Sequence, residues 1–161
     1  VRSRLISEKD MVKQASEFAG TVPVRHLLPY WKTSNRYLFS GGSVNMRDAA
    51  VYAKEENWSK AVELWKQTYE TKKGKQKMYA AYNTALGYEM QDSIDTALEW
   101  ALKAQTLARE KSKTDKKETG EIHDGTISYY IFISMYVDEL EKRKEGMARL
   151  NMQMNRFDDD F

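Results

Sequence analysis

Several residue groups in this 161-residue chain have side chains suited to chemistry, but their spacing argues against it. Glu121, His123 and Asp124 are possible metal ligands. Residues two apart on a helix point to different sides, and an adjacent His and Asp do not converge on one ion. His26 is remote in sequence and nothing orients it. Gly74-Lys75 has the end of a phosphate loop without the upstream glycine or the following Ser/Thr. A Gly-x-Ser-x-Gly elbow is absent, and two histidines with no cysteine leave few general bases near neutral pH. Carboxylates are abundant, but on helix surfaces they are solvated or paired at i,i+4, as Glu139 is with Arg143. Arg109, Lys111, Lys113, Lys116 and Lys117 form a basic run. Glu110, Asp115 and Glu118 interrupt it and no aromatic residue is interleaved, so it reads as a solvated loop and not as a nucleic-acid track. The chain is therefore expected to be no enzyme, with no catalytic, metal or cofactor site.

The elements that would position any site are helices. Apolar residues make up 41% and charged residues 31% of the chain, with a net charge of +2. That composition suits one soluble domain without a strong field toward nucleic acid or membrane. No apolar run approaches the ~20 residues of a membrane span, and no signal peptide is evident. The chain opens Val1-Arg2-Ser3 without an initiator Met, as a fragment would. Pro23 and Pro29 are the only prolines, and strand-like alternation is confined to Tyr37-Leu38-Phe39, which indicates an all-α chain.

Met11, Val12, Ala15, Phe18 and Ala19 form an apolar stripe on a helix over Glu8–Ala19, capped by Ser7 with Asp10 and ended by Gly20. An irregular aromatic segment follows to Ser43, with Tyr30-Trp31, Tyr37–Phe39 and Gly41-Gly42. Two helix pairs come next: about 45–55 with 58–71, then 76–90 with 94–110. Asn57 and Asp92-Ser93 supply the turns within the pairs. Lys111–Lys117 is expected to be a loop. A last helix spans about 118–147, with an apolar stripe of Ile127, Tyr130, Ile131, Ser134, Met135, Val137, Asp138 and Leu140, and the tail from Phe157 is expected to fray.

The two pairs echo each other. Ala49 and Ala85, Tyr52 and Tyr88, and Ala61 and Ala97 each stand 36 positions apart, and a fixed period of this size marks a stacked repeat. With Ala101, Ala104 and Trp65, the pattern resembles the tetratricopeptide repeat, in which small residues let paired helices approach closely and large ones plug the gap to the next pair. The period is 36 where that repeat has 34, and its closing proline is missing from both copies. Thr68 stands where Ala is usual. The motifs Leu28-Pro29-Tyr30-Trp31, Arg36-Tyr37, Asn57-Trp58, Ala80–Ala85 and Ala97–Ala101 also resemble a family of bacterial cell-envelope proteins, often lipoproteins, with a helical-repeat C-terminal half. That likeness implies a lipid-anchored envelope or periplasmic location and a further N-terminal domain.

The tetratricopeptide likeness implies a concave binding groove. It would be built from Met46, Arg47, Ala50 and Lys54 of the first copy and Tyr79, Tyr82, Asn83, Leu86, Glu89 and Met90 of the second. Asn83 takes the place that often hydrogen-bonds a bound peptide. Met46 and Ala50 stand where a carboxylate clamp needs Lys and Asn, so a clamp for a chain terminus is not expected. Trp58 and Trp65 are expected to pack in the core, Trp100 to lie at its edge and Trp31 to be the most exposed.

The sequence thus describes one all-α domain, an α-α superhelix of tetratricopeptide type with two degenerate repeats and flanking helices. Residues 1–43 pack on the repeats of 44–110, residues 118–150 cap them, and 151–161 form a tail. Its expected role is non-enzymatic binding of a protein or peptide partner through Arg47, Tyr79, Tyr82, Asn83, Leu86 and Glu89, without cofactor, nucleic acid or membrane insertion. The alternative is a structural or oligomerisation half whose activity lies in a missing N-terminal domain.

Overall fold

The computed structural model describes residues 7–27, 33–119 and 128–159, with side chains for 7–21, 33–112 and 128–152. Among the described residues there are six helices and no strand, so the chain is all-α: α1 (Glu8–Leu27), α2 (Val44–Lys54), α3 (Trp58–Thr71), α4 (Gly74–Glu89), α5 (Ile94–Thr119) and α6 (Tyr129–Asp159). Two compact units divide it, residues 1–35 and 36–161. Residues 36–43 belong to the unit that holds α2–α6.

In the first unit the Ser7 hydroxyl accepts from the Asp10 amide at 3.2 Å and donates to the Asp10 carboxylate at 2.6 Å, starting α1 as expected. Gly20 does not end α1, which continues to Leu27. A glycine costs helix stability but does not forbid the conformation. Met11, Val12 and Phe18 are exposed.

In the second unit each helix packs on the next: α2 on α3, α3 on α4, α4 on α5 and α5 on α6. The 36-residue echo extends to the turns within the pairs. Glu56 and Asp92, again 36 apart, adopt left-handed φ values of 59° and 57°. The next amide in each case, Asn57 or Ser93, closes back onto the carbonyl of Tyr52 at 2.9 Å or Tyr88 at 3.0 Å. A left-handed residue that lets the following amide reach back to the helix is a standard helix stop. Asn57 then accepts from the Lys60 amide at 3.4 Å and opens α3.

Ala49, Ala61, Ala85 and Ala97 are fully buried, as are Ala101 and Ala104. They let helix axes approach closely, and Trp65, Met46, Met78, Tyr82, Ile133 and Leu140 fill the remaining volume. α4 is buried from Ala80 to Gly87 without a solvent face, which marks it as the central helix of the unit. Trp65 is in the core as expected. Trp58 and Trp100 are half-buried against it, Trp100 edge-on to Tyr69 at 5.0 Å. Trp31 lies outside the described residues.

Three expectations fail for identifiable reasons. Lys111–Lys117 is helical, because α5 runs unbroken to Thr119 through a lysine-rich stretch with no Gly or Pro to stop it. α6 starts at Tyr129 and continues to Asp159, past the expected fraying point. Its buried face is Ile133, Tyr136, Val137 and Leu140, while Ile131 and Met135 are exposed. Both faces of α6 carry apolar residues, so periodicity alone could not choose between them. The i, i+3, i+4, i+7 set that places Tyr136 against Glu89 took the core.

Gly87 shows how tight the α3–α4 contact is. A Cβ there would collide with Val62 and stand 3.1 Å from the Trp65 ring. Gly87→Ala is expected to destabilise the chain by about 1–3 kcal/mol in urea titrations, with partial recovery when Val62→Ala is added. No loss in the single variant would contradict this packing.

Candidate functional site

Tyr82, Asn83, Leu86 and Glu89 follow the i, i+1, i+4, i+7 pattern along one side of α4, as the groove expectation requires. They are 2%, 0%, 3% and 1% exposed, because the chain's own residues occupy the groove. Arg36 meets Glu89, Phe39 meets Asn83, and the Ser43 amide donates to the Gln76 side chain at 3.2 Å. The segment therefore runs antiparallel to α4. Arg36 to Phe39 is three residue steps, and Glu89 back to Asn83 is six helical residues, about 9 Å. Three steps cover that length only when the backbone is nearly fully extended.

The Asn83 amide holds this segment by its backbone. Its Nδ2 donates to the Phe39 carbonyl at 2.7 Å, and its Oδ1 accepts from the Phe39 N–H at 3.1 Å. The Phe39 ring stacks on Tyr79 with centroids 4.0 Å apart and meets Tyr82 edge-on at 5.2 Å.

At the other end Glu89 is a buried carboxylate with three partners. Arg36 donates through Nη2 at 2.8 Å to Oε1 and through Nε at 3.1 and 3.0 Å to the two oxygens. Tyr136 donates to Oε2 at 2.9 Å and Arg143 to Oε1 at 3.1 Å. Arg143 also reaches Asp92, the left-handed residue of the α4–α5 turn, at 2.7 Å. Burial is the largest single influence on Glu89 and pushes its pKa up. The hydrogen bonds from Arg36, Tyr136 and Arg143 together outweigh it and hold the carboxyl below its ordinary 4.5. The hydrogen bond to Glu89 likewise raises Arg36, and burial followed by the Glu89 charge raises Tyr136.

A concave groove open to a partner is thus not what the described residues form. Arg47 is exposed on α2 and takes no part in these contacts, while Tyr79 is half-buried against Phe39 and Tyr129. Sequence reasoning missed Arg36, Phe39, Tyr136 and Arg143. Their signal was faint: Arg36 precedes the Tyr37–Phe39 aromatic cluster that Phe39 ends, and Tyr136 with Arg143 have the i,i+7 spacing that puts both on one side of α6.

Beside the filled groove lies an open cleft of about 680 Å³. Tyr37, Phe39, Tyr79, Tyr129 and Phe132 supply five rings, and Ser40, Gly41, Gly42 and Gln76 complete the lining. Tyr37 is 56% exposed at its edge and meets Phe132 in a T-shaped contact at 5.8 Å. The Tyr79 hydroxyl donates to that of Tyr129 at 2.7 Å. Lys75 stands over both rings, 4.8 Å from the Tyr129 centroid and 5.8 Å from that of Tyr79. Burial, then the bond to Tyr129, raises Tyr79 to about 12, whereas the Lys75 ammonium lowers Tyr129. Among the described residues no three His, Cys, Asp or Glu side chains gather to hold a metal. His26, Glu121, His123 and Asp124 lie outside the described side chains. No helix among the described residues is long and apolar enough to cross a membrane.

Comparison with known proteins places this helical set in a family. The model of the family described as "Domain of unknown function (DUF6340)" matches residues 47–142, more than half of the chain, and the chain belongs to that family. A second model, "Domain of unknown function (DUF8603)", matches residues 1–39. Arg36 and Phe39 therefore lie in the stretch matched by the second model, while Asn83 and Glu89, to which they bind, lie in that of the first. No curated protein and no solved structure matches.

Asn83→Ala removes both bonds to Phe39 and is expected to speed exchange of the Phe39 amide about tenfold or more, read by hydrogen exchange. Unchanged exchange would mean that packing alone holds the segment. Glu89 gives a pH prediction. Its folded pKa is depressed, so its contribution is complete above 4.5 and is lost as pH falls through the lower folded value. Urea midpoints measured from pH 7 to pH 3 should fall more steeply below 4.5 for the wild type than for Glu89→Gln. The variant itself should cost about 3 kcal/mol at pH 7, because it leaves two arginines beside a neutral group.

Proposed function

We propose that the chain is a non-enzymatic, tetratricopeptide-like helical-repeat module that binds a protein or peptide partner, and that the partner's seat is the aromatic cleft beside the filled groove. One observation carries this reading: five aromatic side chains converge on a single open cleft, with a lysine and a few neutral polar groups at its edge. Aromatic rings give large contact area at low entropic cost, and a few placed polar groups orient a ligand. The filled groove favours a second reading, in which this chain is the structural half of a larger protein. The repeat's usual contacts are already satisfied internally by Arg36 and Phe39. An envelope location follows from the resemblance to helical-repeat envelope proteins and is tested by fractionating cells that express the natural gene.

The test of the binding role is selection of a displayed library of random 12-residue peptides on the full chain. Enriched peptides are expected to lose tenfold or more in affinity when Tyr37 is replaced by Ala. Tyr37 is largely exposed and its ring meets only the edges of Phe39 and Phe132, so Tyr37→Ala should lower the thermal midpoint by no more than about a few degrees. Failure to enrich any peptide, together with a stable dimer in sedimentation that Tyr37→Ala does not alter, would favour the structural reading.

A further inference from the structure

The cleft and the filled groove share one extended segment, whose two edges are used differently. On the inner edge both backbone groups of Phe39 are taken by Asn83. Backbone groups alternate direction along an extended chain, so the N–H and C=O of Leu38 and Ser40 point to the opposite edge. No described residue hydrogen-bonds them there. The same stretch, Phe39 to Gly42, forms one wall of the cleft, and aromatic side chains of α4 and α6 form the other. Its end carries no side chains to obstruct an approaching backbone. Nothing lies within 4 Å of where a Gly41 Cβ would sit. Gly42 has a φ of 114° and lies against the Gln76 side chain, so only glycine suits that position.

An extended segment with one unpaired edge is a template for another strand. Strand pairing supplies affinity without sequence information, and an adjacent pocket for alternate side chains supplies selectivity. Both parts are present here. The cleft also has a charge preference, because the Lys75 ammonium sits at its edge with no carboxylate within ion-pair distance among the described residues.

We infer that the cleft binds an extended peptide segment of a partner protein by strand addition to the outer edge of Leu38–Ser40. One apolar or aromatic side chain of the peptide enters the ring-lined cleft, and a neighbouring carboxylate pairs with Lys75. The inference rests on the binding role proposed above and adds the register and chemistry of the ligand. The α6 rings Tyr129 and Phe132 close the far side of the cleft, so the peptide lies between the segment and α6. A partner strand there leaves the Arg36–Glu89 and Phe39–Asn83 contacts intact, because those use the inner edge.

The test uses the full chain and the tightest 12-residue peptide recovered by the displayed-library selection. Single backbone N-methylations are placed along the peptide and affinities are measured by titration calorimetry. Strand addition predicts a period of two: methylation at alternate positions weakens binding tenfold or more, and at the intervening positions less than about twofold. The amides of Leu38 and Ser40 should exchange at least tenfold more slowly in the complex, with the Phe39 amide unchanged. Lys75→Met should remove any preference for an acidic residue while keeping most of the affinity. A Tyr37-dependent peptide whose methylation profile has no alternation, or that leaves the Leu38 and Ser40 amides unprotected, overturns strand addition and leaves the peptide-binding role standing. Failure to recover any peptide overturns both, as does Tyr37-dependent binding to a glycan array or Tyr37-dependent self-association without peptide binding.

Discussion

The structure of the repeat unit turns on one buried carboxylate. Glu89 sits at the C-terminal end of the central helix, almost without solvent. An unpaired carboxylate there would cost several kcal/mol, so it requires cationic partners. It takes them from the two ends of the unit's sequence, Arg36 before α2 and Arg143 in α6. Since a buried ion pair adds little net stability over a well-packed apolar alternative, its effect is on specificity. It sets where the N-terminal segment lies along α4 and which face α6 turns inward. Arg143 extends the network to Asp92, so the turn that starts α5 is tied to the same centre.

The groove follows from that constraint. Once Arg36 is held at Glu89, an extended chain arrives at Asn83 three residues later, and the Asn amide can satisfy both backbone groups of Phe39. Two anchors set by helix rise and strand rise together hold the segment antiparallel to α4. Arg36 and Phe39 fall at the end of the stretch matched by one family description, and Asn83 and Glu89 within the other.

Much of the helical framework was legible in the sequence because it depends on local or periodic signals. The small residues Ala49, Ala61, Ala85 and Ala97 announced the close helix contacts, and all four are buried. Asn57 announced a helix start and Asp92-Ser93 a turn. The positions of Tyr82, Asn83, Leu86 and Glu89 along one side of α4 were legible for the same reason. What filled the groove was not, because the contact between Arg36 and Glu89 spans 53 residues and has no periodicity. The face of α6 was ambiguous for a related reason. Ile131 and Met135 are as apolar as Ile133 and Val137, and the choice lies with Glu89's need for Tyr136 and Arg143 on the inner side.

The aromatic cleft is a consequence of the same arrangement. The inner edge of the segment is committed to Asn83, and Phe39 to Gly42 form one wall of the cleft. Phe39 stacks on Tyr79 and meets Phe132 edge-on, which brings the α4 and α6 rings to that wall. A helical repeat normally offers side chains on its concave face and no free backbone, since helices satisfy their own amides. By laying an extended segment along α4, this unit sets the backbone of Phe39–Gly42 beside the ring-lined cleft.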